Sequence, residues 1–138
     1  MNGVNGTMSK PNLQTLQDQV SGLLLRHRSL LDVLSKHSQA NASVNRAVTK
    51  AITECGCLEL HAKRQPYNSE MDVEQAKERL ESHVQGQLCE HCNEVIRTEL
   101  GRHLFYMSAL CNSLNIPLNE VVTEESSKCS TLGIFNLS

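Results

Sequence analysis

Apolar residues recur at three- and four-residue steps along most of this chain, which is the spacing of one helical face. Leu13, Leu16, Val20, Leu23, Leu24, Leu30, Leu31 and Leu34 form the first series. Proline is tolerated in a first helical turn, so Ser9, Lys10 and Pro11 serve as its start. The series predicts one long helix to about Lys36, with Gly22 its least helical position. His37 to Ser43 is small and polar and reads as a linker, with Asn41 or Ser43 as the next N-cap. Val44, Ala47, Val48, Ala51, Ile52, Cys55, Leu58 and Ala62 continue the helical period to about Arg64, where Gln65, Pro66, Tyr67 and Asn68 stop it.

Ser69 to Asp72 reads as a capped start for a third helix through Val84. Its apolar face is thin (Met71, Val73, Ala76, Leu80, Val84), which predicts a peripheral helix. Beyond Gly86 and Gln87 comes the most apolar segment. Val95, Leu100, Leu104, Met107, Cys111 and Leu114 hold a helical repeat that Ile96, Phe105 and Leu110 widen. Pro117 cannot sit in a helix interior, so a last helix opens there. Glu99, Arg102 and His103 make one polar stripe across this segment. The pattern predicts an all-α fold with a helical domain over 10–125. A Gly-, Asn- and Ser-rich lead-in over 1–9 is expected to be disordered, and 126–138 is expected to be a tail.

Composition agrees with helices. Hydrophobic residues are 39% but aromatics only 3%, with no Trp, which favours an aliphatic bundle over a sheet protein. A net charge of -2 gives no electrostatic case for nucleic acid or an anionic membrane as partner. No run is long enough to span a bilayer and no leader pattern opens the chain, so the expected location is cytoplasmic. The six Cys are then expected to be thiols or metal ligands rather than disulfides.

Several of these residues follow a known order. Glu99-Leu100-Gly101, then Leu104-Phe105-Tyr106, then Ala109 to Asn112, then Leu114 to Val121 resembles the second half of the MazG-like all-α nucleotide pyrophosphohydrolases. Thr53-Glu54-Cys55-Gly56-Cys57 resembles the earlier acidic half-motif of that family, Glu-Glu-X-Gly-Glu. The resemblance runs from about Val44 to Val122, leaving Asn68 to Leu88 unmatched. It implies an antiparallel helical bundle, assembled as a homodimer or tetramer, that cleaves a nucleoside triphosphate to the monophosphate and pyrophosphate. Glu54 and Glu99 would be its catalytic carboxylates, and Mg²⁺ its cofactor.

Thr53, Cys57, Thr98 and Arg102 stand where further carboxylates are expected. Mg²⁺ wants hard oxygens, whereas Cys57 offers sulfur. A guanidinium about 5 Å away would oppose Mg²⁺ by roughly 6 kcal/mol at an effective dielectric near 20. The expectation is therefore a protein impaired in catalysis or altered in metal use. The alternative is a non-catalytic nucleotide-binding or regulatory module, with Arg102 meeting a nucleotide phosphate.

A third alternative is a thiol/His metal-binding protein. On a continuous helix Glu54, Cys57 and His61 share one face, and Glu99 and His103 share another. Together they form a candidate set for Zn²⁺ or another transition metal, although a Glu–His stripe is often only a solvated face. Cys55-X-Cys57 and Cys89-X-X-Cys92, with His91 nearby, could instead make a four-thiolate site. Against this, residues two apart on one helix point about 200° apart, which would send Cys55 into the core. His27, His37 and His83 have no matching partner in sequence and are expected on the surface.

Overall fold

The computed structural model describes residues 10–23 and 28–132. The lead-in, Leu24 and the end of the tail lie outside the described residues. In chain order the elements are α1 (Leu13–Ser21), α2 (Leu30–Lys50), a π-helical turn (Ala51–Cys55), β1 (Leu58–Leu60), α3 (Val73–Arg79), β2 (Val84–Gly86), α4 (Glu90–Leu114) and α5 (Leu118–Leu132). The fold is mostly helical, and the described residues include a two-stranded antiparallel sheet. No helix among the described residues is long and apolar enough to cross a membrane.

The predicted first helix is two helices. α1 is capped by Asn12, whose Oδ1 accepts the Thr15 N–H at 2.9 Å, and it ends at Gly22. α2 begins after Ser29, which is extended. The predicted linker over 37–43 lies inside α2. Ala40 is fully buried there, and Val33, Ala40 and Ala51 keep a seven- and eleven-residue spacing that holds one face against α4. That burial outweighs the poor helix propensity of Asn41 and Ser43.

α2 and α4 run antiparallel. Val33 meets Ala109 at one end of the pair, and Ala51 meets Cys92 and Ile96 at the other. α1 closes the first end, with Leu16 and Val20 packing on Val33, Phe105 and Ala109. The expected turn at Pro117 is present. Asn115 adopts the left-handed conformation (φ 54°) that ends α4, and α5 opens one residue after the proline. Gln17, 5% exposed, fixes this corner. Its Nε2 donates to Ile116 O at 2.7 Å, and its Oε1 accepts the Leu118 N–H at 2.7 Å. α5 continues through the tail boundary expected at 125/126.

The helix expected from Val44 to Arg64 stops at Cys55. Gly56 takes φ 77°, a left-handed residue that returns its N–H to Ala51 O at 3.0 Å. Leu58, counted above in a helical face, lies in a strand instead, and Leu58, Glu59 and Leu60 pair with Gly86, Gln85 and Val84. α3 is shorter than expected. It carries an Asp72–Gln75 capping box but buries only Ala76, and with so little face to bury it ends at Arg79. Residues 56–88 are thus an excursion that leaves the bundle at the end of α2 and returns at the start of α4.

Candidate metal centre

Both ends of the excursion carry cysteines. The objection that Cys55 and Cys57 diverge on one helix does not apply, because the helix ends at Cys55 and Gly56 reverses the chain. Cys57 then follows at a bend just before β1. Gly86 holds it there from the opposite strand: at φ 91°, a Cβ at this position would overlap the Cys57 carbonyl oxygen. Cys89 is the N-cap of α4, and its Sγ accepts the Cys92 N–H at 3.3 Å. Cys92 is three residues on, so its side chain rises on the same helix face.

These local choices converge. The Sγ atoms of Cys55, Cys57, Cys89 and Cys92 all lie within 4.8 Å of one another, and Cys55 Sγ and Cys89 Sγ are 3.8 Å apart. A tetrahedral thiolate site with metal–sulfur bonds of about 2.3 Å has sulfur–sulfur edges of about 3.8 Å. Four cysteines this close could hold a transition-metal ion. All six cysteines of the chain are free thiols. The cluster is graded in access. Cys92 is buried against Ala51 and Ile96, Cys57 and Cys89 are half-buried beside Leu58 and Leu88, and Cys55 is exposed rather than in the core as expected.

The thiols perturb one another. The Cys92 backbone N–H, then the Cys92 thiol, stabilise the Cys89 thiolate and lower its pKa to about 7. The same contact, with burial, pushes Cys92 up to about 12. At Cys55 the Cys57 backbone N–H favours the thiolate, but the sulfurs of Cys89 and Cys57 together with burial outweigh it and the pKa is raised. The metal-free cluster thus keeps one thiolate readily and resists further negative charge, which a dication would neutralise.

The other expected site residues are distributed along the molecule. Glu54 borders a crevice of about 280 Å³ beside the cluster, with Lys50, Cys55, His91 and Val95. His61 lies past the end of β1, where its Nε2 is 3.0 Å from Glu59 Oε2, and it lines a separate cavity with Lys63 and His83. Glu99 is only 20% exposed at its side chain. Its Oε2 makes no hydrogen bond and has Arg102 Nη1 at 3.5 Å. Arg102 borders a third crevice with Lys36, Gln39, Ser43 and Tyr106.

His103 packs on His37, ring centroids 5.2 Å apart, so His37 is a partly buried residue between α2 and α4. His83, also expected on the surface, takes φ 62° and buries Nε2 without a partner. Glu54 lines the crevice beside the cluster, whereas Glu99 is not among its lining residues and stands with Arg102. Among the described residues, the group of side chains placed to hold an ion is the cysteine cluster, and it contains no carboxylate of the kind Mg²⁺ requires. Of the expected metal residues Cys57 alone belongs to the cluster. All four cysteines were legible as two close pairs, Cys55 with Cys57 and Cys89 with Cys92, whereas Gly86 had no sequence signal beyond being glycine.

No family model, no curated protein and no solved structure matches the chain.

Proposed function

We propose that this protein is a thiolate metal-binding helical protein in which Cys55, Cys57, Cys89 and Cys92 hold one Zn²⁺ in a closed tetrahedral site. The observation that carries this reading is the mutual approach of the four sulfurs within 4.8 Å, with one edge at 3.8 Å. Four sulfur donors select zinc over hard cations, and four protein ligands leave no open position for a substrate, so the role is structural. The bound ion would tie the excursion to both the end of α2 and the start of α4, making metal affinity part of folding energy. Backbone N–H groups of Cys57 and Cys92 already face Cys55 and Cys89 and would offset the excess negative charge of four thiolates. Free thiols fit a reducing compartment such as the cytoplasm. Elemental analysis of freshly purified protein should find one zinc per chain, lost in Cys57→Ser. Zinc-free protein that also fails to take up added zinc would end this reading.

A second reading retains the MazG-like resemblance in its non-catalytic form, as a nucleotide-binding module. It is favoured by the crevice of about 340 Å³ in which Lys36 and Arg102 stand with Ser43 and Tyr106, groups suited to a phosphate. Arg102→Ala should abolish nucleoside triphosphate binding by calorimetry, and pyrophosphate release should stay at background with Mg²⁺, Mn²⁺ or Zn²⁺. Homo-oligomerisation belongs to the same reading. Leu31 is 76% exposed, and Leu30, Leu34, Leu100 and Leu104 are also open in the single chain. Sedimentation at micromolar concentration tests it.

A further inference from the structure

We infer that Cys55 and Cys89 are an oxidant-reactive pair that a hydroperoxide converts to a disulfide, expelling the bound metal. The metal half of this inference rests on the four-thiolate reading above. Access and proximity select the pair. Cys55 is the exposed sulfur of the cluster and borders the crevice shared with Lys50, Glu54 and His91. That crevice, about 280 Å³, admits a molecule the size of hydrogen peroxide. Cys92 is buried, and Cys57 is half-buried with its Sγ against Ala51 O at 3.8 Å. Cys89 Sγ is 3.8 Å from Cys55 Sγ, near enough to resolve an oxidised Cys55. Closing to a disulfide bond of about 2.0 Å needs only local movement, which Cys55 can make beside Gly56.

The chemistry balances in two steps. Cys55, a thiolate when it ligates the metal, attacks one peroxide oxygen, the O–O bond breaks, and Cys55 becomes a sulfenic acid while hydroxide leaves. The Cys89 thiolate then attacks Cys55 Sγ, forming the S–S bond and releasing a second hydroxide. Two thiolates lose two electrons and one peroxide gains them. Zinc, left with Cys57 and Cys92 alone, departs. The new bond joins the end of the π turn to the N-cap of α4, so the excursion stays tied after the metal leaves.

The test treats zinc-loaded full-length protein with hydrogen peroxide, reads released zinc with a chromogenic chelator, and maps disulfides by non-reducing peptide mass spectrometry. The expected result is one zinc released per peroxide consumed, with a Cys55–Cys89 linked peptide, both reversed by a thiol reductant plus zinc. Oxidation at Cys129, exposed on α5, reports unselective damage. Zinc retained with intact thiols under a large peroxide excess overturns the inference. So does a dominant Cys89–Cys92 or Cys55–Cys57 linkage, or Cys55 oxidised without linkage. If the protein takes up no zinc, the four-thiolate reading fails by itself. The same mapping on metal-free protein then decides the pair, a Cys55–Cys89 linkage supporting it and any other overturning it.

Discussion

Replacing Gly86 by Ala tests whether β2 positions the metal centre. Two costs follow from the geometry. The first is conformational: φ at Gly86 is 91°, and an L-residue forced to a positive φ costs roughly 1–2 kcal/mol. The second is steric: the added Cβ would overlap the Cys57 carbonyl oxygen. The overlap is with backbone, so no side-chain rotation relieves it. β1 and β2 must separate by at least several tenths of an ångström, carrying Cys57 with them. Metal–ligand distances tolerate only about 0.2 Å. Zinc affinity should therefore fall by at least about tenfold, equivalent to about 1.4 kcal/mol, in a competition titration against a chelator. Gly101→Ala is the control. Nothing lies within 4 Å of a Cβ there, and the site is inside α4. It should leave zinc affinity unchanged and stabilise the protein by about 1 kcal/mol, because alanine is the better helix former. Parental zinc affinity and melting temperature in Gly86→Ala would refute the strand register and the role assigned to this glycine.

Other outcomes follow from the same contacts. In metal-free protein Cys89 should react with iodoacetamide ahead of Cys92. Its rate should rise with pH and reach half its maximum near pH 7, since its pKa is lowered to about 7 while that of Cys92 is raised to about 12; bound zinc should suppress the reaction. Zinc affinity should weaken steadily as pH falls, because the ion must displace the Cys92 proton at any pH below about 12 and the Cys89 proton as well below about 7. A pH-independent affinity by calorimetry would contradict this. Chelation should lower the melting temperature of the parent but not that of Cys57→Ser. Gln17→Ala should cost about 2 kcal/mol in denaturant unfolding, since the Leu118 N–H and the Ile116 carbonyl lose their partner at a buried corner.

Sequence periodicity by itself determined that this chain is helical, that α4 spans its most apolar segment and that α5 opens after Pro117, because helical faces and proline act locally. It also set out the two cysteine pairs. Tertiary structure decided where helices end. The series through Leu58 kept a helical period that Gly56 interrupted, and the predicted linker over 37–43 became helix because Ala40 was buried against α4. It also decided the site. Cys55 and Cys57 converge only once Gly56 turns the chain and Gly86 admits the Cys57 backbone, a contact twenty-nine residues distant that no local pattern encodes. Register decided the surroundings of Glu54 and Glu99 as well. An antiparallel α2–α4 pair places residues by register, and this register puts Glu54 beside Cys55 and His91, whereas Glu99 lies farther along α4 with Arg102.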